Sequence, residues 1–103
     1  MAQVIADRRD IDFVLYDQLQ IDELTKLDRY RDFNKKTFDM IITEARNFAV
    51  KELLPANAEG DKEGLQFENG QVKVPDCFHR AYKLLLEGEW TSLTEDPDWG
   101  GQG

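Results

Sequence analysis

One stretch, TFDMIITEARNFAVKELL, constrains the fold more than any other part of the chain. Its apolar residues recur every three or four positions, the period that places them along one side of an α-helix. They are Phe38, Ile41, Ile42, Ala45, Phe48, Ala49 and Leu53. The opposite side carries the polar residues Asp39, Thr43, Glu44, Arg46, Asn47 and Lys51. The sequence therefore predicts a long amphipathic helix as the main element of a mainly helical fold.

The ends of this helix are marked by residues with specific backbone preferences. Asn34 is the expected N-cap, with Asp32 as the alternative, because a short polar side chain can accept a bond from the first free N–H groups. Pro55 is expected to end the helix, because it lacks an N–H group and disfavours a helical residue before it. The following stretch, ANAEGDKEG, is rich in turn formers and is predicted to be a polar loop.

A β-hairpin is predicted near residues 65–74, LQFENGQVKV. Leu65 and Phe67 alternate with polar residues before Asn69-Gly70, and Val72 and Val74 alternate after it. Asn-Gly between two such runs favours a type I′ turn, which needs positive φ at both central residues.

Shorter helices are expected on either side of these elements. Asp10 is the predicted cap of a helix over 11–20, and IDELTKL is predicted to form a second short helix. Pro75 is expected at the first position of a later helix, with Gly88 as its C′ residue. The apolar side of that helix is Phe78, Ala81, Tyr82 and Leu85. The predicted fold class is all-α, an incomplete helical bundle with one small hairpin, followed by turns from Glu89 onward.

Length, charge and cysteine content narrow the class of protein. The 103 residues, 41% of them hydrophobic, suit one globular domain. The net charge of −8 argues against nucleic-acid or anionic-membrane partners, since both are negatively charged. A single cysteine, Cys77, excludes an internal disulfide framework and favours a reducing compartment. No apolar run is long enough for a membrane span and the first residues do not resemble a signal peptide, so we expect a cytoplasmic protein.

Three polar groupings are candidate sites. Cys77 and His79 are two apart on a predicted helix and point to different sides, so we expect a half-buried thiol and an exposed imidazole rather than a catalytic or metal pair. The carboxylates of the second grouping, Asp61, Glu63 and Glu68, are expected to be solvated on the surface. In the third, Asp96-Pro97-Asp98-Trp99-Gly100-Gly101 begins like a calcium loop but has glycine at the fifth position, so we expect a turn.

The glycines and tryptophans near the end of the sequence are more specific. Gly100-Gly101-Gln102-Gly103 could cradle a phosphate, but no strand and helix flank it, and a tight turn that lets backbones approach is the favoured interpretation. Trp90 and Trp99 are harder to bury together on so short a chain. No catalytic, cofactor-binding or metal residue is predicted, so the chain is either a binding module or part of an enzyme whose chemistry lies elsewhere.

These residues also carry a family resemblance. The segment PDCFHRAYKLLLEGEW followed by TSLTEDPDWGGQG resembles the amino-terminal helical domain of FAD-dependent acyl-CoA dehydrogenases. The matching residues are Trp90, Glu95, Gly100, Gly101 and Gly103. The stretches RDIDFVL, NAEGDKEG, NGQVKVP and GGQG resemble the branch that includes 3-methylmercaptopropionyl-CoA dehydrogenase-like proteins, which carry a hairpin between the second and third family helices.

The resemblance implies a domain organisation and a function. Residues 1–33 would be an N-terminal extension with short helices, and residues 34–103 a truncated amino-terminal helical domain. Family members continue into a β-domain that holds FAD and a helical domain that carries a glutamate base, so GGQG would be a joint and the chain a fragment. The full-length enzyme would oxidise an acyl-CoA thioester to the 2,3-enoyl-CoA and pass electrons to an acceptor. It would be a homo-oligomer.

For the fragment itself, the resemblance implies a structural role. It would be scaffold and a wall of the acyl pocket, and by itself it would hold no FAD and be inactive. We also expect exposed apolar surface where the missing domains would sit. The alternative is a free-standing acidic helical module that binds a protein through an apolar groove and its tryptophans.

Overall fold

The computed structural model describes residues 5–103. The chain divides into two compact units, Met1–Glu52 and Leu53–Gly103, and each is considered separately below. Most of the described residues are helical and one small antiparallel hairpin is present. The predicted all-α class with a single hairpin is therefore confirmed.

The first unit begins with α1, Arg8–Asp12, which continues into a π-helical stretch, Phe13–Gln18. The predicted cap at Asp10 is wrong. The side chain of Asp7 caps the helix instead, accepting hydrogen bonds from the backbone N–H groups of Arg9 and Asp10. The helix predicted over 11–20 therefore exists, but it begins earlier and its second half has the wider π geometry.

Two 3₁₀ segments follow, Ile21–Lys26 and Asp28–Tyr30. Gln20 before the first segment has a left-handed backbone, with φ of 50°, which separates it from the π-helical stretch. The short helix predicted for IDELTKL is present in this tighter form. Apolar residues three apart lie above one another in a 3₁₀-helix, which has three residues per turn and accounts for the observed spacing.

The long helix α2 spans Lys35–Phe48. Asn34 caps it as predicted, because its side-chain oxygen accepts a hydrogen bond from the N–H of Thr37 at 2.9 Å. Most of the predicted apolar side is half-buried: Phe38, Ile41, Ile42, Ala45, Phe48 and Ala49. The ring of Phe38 stacks on that of Phe33 at 6.1 Å between centroids.

Pro55 does not end this helix, and the predicted loop after it does not exist. The chain continues through a π-helical turn, Ala49–Leu53, directly into α3, Leu54–Glu63. Pro55 lies in the first turn of α3, where a missing N–H group is tolerated. We attribute the π turn to the proline, since a π turn loosens the hydrogen-bond ladder where the pyrrolidine ring would clash.

The second unit is organised around the contact between α3 and α4, Asp76–Glu87. Gly60, which was predicted to lie in a loop, is the buried residue of α3. It faces the ring of Phe78 from α4. α3 ends at Gly64, whose φ of 76° needs a residue without a side chain.

The hairpin consists of β1, Gln66–Glu68, and β2, Gln71–Lys73. Asn69 and Gly70 have φ values of 53° and 76°, so the predicted type I′ geometry is confirmed. Phe67 lies directly opposite Val72 in the antiparallel register. Every residue of both strands is solvent-exposed.

The boundaries of α4 differ by one residue from the prediction at both ends. Pro75 occupies the N-cap rather than the first helical position, and it is almost completely buried. Gly88 is the C-cap and keeps a right-handed backbone, whereas the left-handed residue is Glu89, with φ of 58°. A methyl group on Gly88 would lie 2.6 Å from Nε1 of Trp90, which gives this glycine a packing role instead.

Neither unit encloses a hydrophobic core among the residues that the structure describes. Among residues 5–103 no hydrophobic residue is buried, and Pro75 is the one large side chain that is almost fully covered. In this described part of the chain, fourteen large hydrophobic residues are exposed. They are Phe13, Val14, Leu19, Leu24, Leu27, Met40, Leu53, Leu65, Phe67, Val72, Val74, Tyr82, Leu86 and Trp99. Scattered exposed apolar residues are normal, but their combination with the missing core is unusual for a 12.0 kDa chain.

Candidate functional site

The run from Trp90 to Gly103 forms a folded-back loop built on two 3₁₀ turns, Trp90–Ser92 and Pro97–Trp99. The side chain of Asp96 caps the second turn by accepting a hydrogen bond from the N–H of Asp98 at 2.9 Å. The predicted turn at Asp96–Gly101 is therefore confirmed.

Four consecutive N–H groups close this loop. Those of Gly100 and Gly101 donate to the carbonyls of Pro97 and Asp96, both at 3.0 Å. Those of Gln102 and Gly103 donate to the carbonyls of Ser92 and Glu95, at 3.2 Å and 2.9 Å. Because all four donors are used within the chain, GGQG does not present a nest of free amides to a phosphate group.

Gly101 is the residue that the close backbone approach requires. A methyl group at this position would lie 2.1 Å from the carbonyl oxygen of Glu95, far inside van der Waals contact. Gly100, with φ of 89°, supplies the left-handed turn before it. The interpretation of GGQG as a tight turn that lets backbones approach is confirmed.

The two tryptophans lie in different surroundings. Trp90 is half-buried beside Gly88. Trp99 is 88% exposed, the largest exposed fraction among the large hydrophobic side chains of residues 5–103. A tryptophan held on a hydrogen-bonded turn with its ring in solvent is a typical anchor for a protein surface, because tryptophan is enriched at interaction hot spots.

Cys77 and His79 are placed as predicted, the first half-buried and the second exposed. The thiol of Cys77 donates a hydrogen bond to the carbonyl of Ala56 at 3.5 Å. Burial, followed by the charges of Glu59 and Glu63, raises the pKa of the Cys77 thiol. A thiol kept protonated is a weak nucleophile, so the arrangement favours a packing role for this side chain.

The carboxylates of Asp61, Glu63 and Glu68 are exposed, as predicted for a solvated surface. No group of three or more potential metal ligands is brought together within residues 5–103. The described part of the chain also contains no helix that is both long and apolar enough to span a bilayer.

The best-defined polar cluster lies in the first unit and centres on the carboxylate of Asp39. Its Oδ1 accepts hydrogen bonds from the hydroxyl of Tyr16 at 2.7 Å and from Nη2 of Arg8 at 3.3 Å. Its Oδ2 accepts a hydrogen bond from Nζ of Lys35 at 2.9 Å, and that ammonium lies 4.4 Å from the centre of the Tyr16 ring. Arg8 also donates to Thr43 at 2.6 Å.

This Asp39 cluster shifts two titrations in opposite directions. The hydrogen bonds from Tyr16 and then Lys35 lower the pKa of Asp39, because they stabilise the carboxylate. Burial and the hydrogen bond to Asp39 raise the pKa of Tyr16. At neutral pH Asp39 is therefore an ionised carboxylate and Tyr16 a protonated hydroxyl. This suits a stabilising contact between α1, the π-helical stretch and α2 rather than proton transfer.

Sequence reasoning did not find the Asp39 cluster. One component was visible, since Lys35 and Asp39 are four apart on the predicted helix. Arg8 and Tyr16 join it from distant positions in the sequence, and no local pattern indicates that pairing. The cluster links segments of one unit, so we assign it to stability.

Among the described residues, the exposed apolar side chains are better suited to binding another surface than the polar groups are to catalysis. The thiol of Cys77 donates to a backbone carbonyl rather than to a base. In the Asp39 cluster the carboxylate of Asp39 stays ionised and the hydroxyl of Tyr16 stays protonated at neutral pH. The exposed apolar side chains, with Trp99 foremost, are the groups that lack a cover.

Comparisons with known proteins give two relatives. Over 95 residues, 92% of this chain, the sequence is 28% identical to 3-methylmercaptopropionyl-CoA dehydrogenase of Ruegeria pomeroyi. Over 83 residues, 77% of this chain, it is 31% identical to butyryl-CoA dehydrogenase of Syntrophomonas wolfei. The matches cover only 16% and 14% of those two proteins.

No protein-family model matches the chain. No solved structure matches it either. The relationship therefore depends on the two alignments, both of which agree with the resemblance carried by the sequence motifs. Over most of its own length this chain is a sequence relative of the acyl-CoA dehydrogenases, and it corresponds to a small part of the proteins that it matches.

Proposed function

We propose that this chain is the amino-terminal helical part of a longer FAD-dependent acyl-CoA dehydrogenase. That enzyme would oxidise an acyl-CoA thioester to the 2,3-enoyl-CoA and transfer the electrons to a separate acceptor. The observation that carries the proposal is the alignment: two dehydrogenases match most of this chain, yet the match occupies about a sixth or less of each.

The exposed apolar surface supports this proposal independently of the alignments. A chain of this length ordinarily buries about two-thirds of its unfolded surface and forms some core. Here the described residues enclose none, while side chains such as Tyr82 and Trp99 are mostly solvent-exposed. Contact with further domains of the same polypeptide would cover such surface. The proposed division is an extension over 1–33 and a truncated helical domain over 34–103.

The proposed role of these residues within the enzyme is scaffold and outer wall of the acyl pocket. When bound, the flavin would accept the β-hydrogen of the substrate as hydride. The GGQG turn does not fit a flavin pyrophosphate, because the amides of Gly100 to Gly103 already donate to carbonyls within the turn. We therefore derive no catalytic step from this chain. FAD, the acyl-CoA and the electron acceptor are assigned to other parts of a cytoplasmic, homo-oligomeric enzyme.

Spectroscopy of the purified chain tests the first part of the proposal. We expect no flavin absorption after incubation with FAD and no oxidation of butyryl-CoA in the presence of an artificial electron acceptor. A yellow, flavin-loaded chain, or one that turns over butyryl-CoA, would contradict the proposed scaffold role.

The gene sequence beyond codon 103 and the exposure of Trp99 test the second part. We expect an open frame through a β-rich segment. In that longer polypeptide the fluorescence of Trp99, measured as the difference between the parent and a Trp99→Phe variant, should be quenched poorly by acrylamide. In the 103-residue chain the same difference should be quenched readily, because Trp99 is exposed. A stop codon directly after Gly103 would favour the alternative, a free-standing acidic module that uses Trp99 to bind a protein.

A further inference from the structure

The hairpin has one completely apolar side and one completely polar side. Phe67 lies directly opposite Val72, so both project from the same side of the sheet. Leu65 and Val74 continue that side by the period-two alternation of a strand. Gln66, Glu68, Gln71 and Lys73 form the other side. The four apolar residues are called the hairpin face below.

The hairpin face is uncovered within the described chain. Phe67 is 74% exposed and Val72 is 63% exposed. The sheet has two strands of three residues each, and no third strand pairs with it among residues 5–103. A two-stranded hairpin is at best marginally stable in water unless another layer covers its apolar side. The hairpin face therefore needs an occupant.

The net charges of the chain and of the hairpin indicate which partner can cover the hairpin face. The chain as a whole carries −8, so two copies repel each other over most of their surface. The segment from Leu65 to Val74 is an exception, because it contains one acid, Glu68, and one base, Lys73, and is neutral. The hairpin face also exposes no polar side-chain atom that a partner would have to match. A second hairpin face satisfies both conditions.

We propose that the hairpin face is a self-association surface at which a second copy of this chain packs face to face, in a two-fold symmetric dimer. The four side chains expose on the order of 500 Å² per copy, so the pair would bury about 1,000 Å². That area lies at the weak end of specific interfaces, so we expect a weak dimer. Edge-to-edge pairing is disfavoured, because the strands are short and carry Lys73.

Analytical ultracentrifugation tests this inference, which does not depend on the proposed function. Between about 10 µM and about 1 mM the average mass of the chain should rise from monomer toward dimer. Phe67→Thr and Val72→Thr keep strand propensity but remove apolar area, and each should weaken association about tenfold or more. Leu19→Ser alters an exposed leucine of the other unit and should leave association unchanged.

Each contrary outcome overturns the inference. A chain that stays monomeric to about 1 mM would show that the hairpin face is not self-complementary. Threonine variants that associate like the parent would place the contact elsewhere, as would a loss of association in Leu19→Ser. These results concern mass alone, so they leave the tests of flavin binding and reading frame unaffected.

Discussion

The ring of Phe78 in α4 lies directly over the backbone of Gly60 in α3. A methyl group on Gly60 would be 2.3 Å from Cε1 and 2.4 Å from Cζ of that ring. The absence of a side chain at Gly60 is therefore what allows α3 and α4 to pack at this distance.

Gly60→Ala should destabilise the second unit although alanine is the better helix former. Helix propensity would contribute roughly 1 kcal/mol in favour of alanine, whereas forcing an atom into a packed contact costs about 1–3 kcal/mol or more. Because the methyl would lie only 2.3 Å from the Phe78 ring, the cost should fall at the upper end of that range. We therefore expect a net loss of about 1–2 kcal/mol in the free energy of unfolding by urea, measured by circular dichroism.

A double-mutant cycle separates this steric effect from a general weakening. Phe78→Leu alone should destabilise by creating a gap beside Gly60, but it should make Gly60→Ala less harmful because the added methyl then has room. If Gly60→Ala costs the same with leucine at position 78 as with phenylalanine, the overlap is not its cause.

Gly101→Ala should open the loop near the end of the chain, because the new methyl would collide with the carbonyl of Glu95. Backbone cannot move aside as a flexible side chain can, so the hydrogen bonds from Gly101 and Gly103 should break. We expect amide exchange at these two positions to accelerate by about tenfold or more in NMR experiments. The matched control is Gln102→Ala, an exposed position whose backbone N–H would still donate to the carbonyl of Ser92, so protection should be preserved.

Local patterns predicted the elements whose geometry is decided by neighbouring residues. The Asn69-Gly70 turn and the Asn34 cap were found because each depends on the backbone of only a few residues. The difficulty of burying Trp90 and Trp99 together is predicted for a different reason, since two bulky aromatic groups need more surrounding chain than this sequence supplies.

The errors arose where packing or a shifted helical register overrides local preference. The turn formers in ANAEGDKEG predict a loop, but the stretch is helical. Its Gly60 packs against Phe78, a residue distant in the sequence, and no local pattern indicates that contact. Pro55 is predicted to end a helix, but the π turn over Ala49–Leu53 leads directly into α3, which contains Pro55 in its first turn. The Asp39 cluster could not be predicted, since Arg8 and Tyr16 reach it only in the folded chain.

Asp39→Asn should weaken the attachment of α1 and the π-helical stretch to α2. The pKa of Asp39 is lowered in the folded state, so its carboxylate contributes stability above its unfolded pKa of about 3.9. That contribution is lost as the pH falls through the folded pKa. Thermal unfolding should therefore show a lower Tm for Asp39→Asn at pH 7 and a smaller difference from the parent at a low pH, well below the unfolded pKa.

The control for this experiment lies on the same helix. Glu44→Gln removes a carboxylate of similar size from an exposed position of α2, where no contact of its side chain with Tyr16 or Arg8 is seen. It should leave the Tm near the parental value at both pH values. Equal losses in the two variants would attribute the effect to net charge rather than to the Asp39 cluster.

Gly70→Ala tests the turn on which the hairpin depends. The φ of 76° at this position is left-handed, a region that costs an L-residue with a Cβ roughly 1–2 kcal/mol. A two-stranded sheet has little stability in reserve, so the hairpin should lose most of its population even though α3 and α4 remain folded. The measurement is the cross-strand nuclear Overhauser contact between Phe67 and Val72, which should fall sharply. Gln66→Ala, on the exposed polar side, leaves the turn intact and should largely retain that contact. If Gly70→Ala keeps the cross-strand contact at the parental level, the turn does not control pairing of the strands.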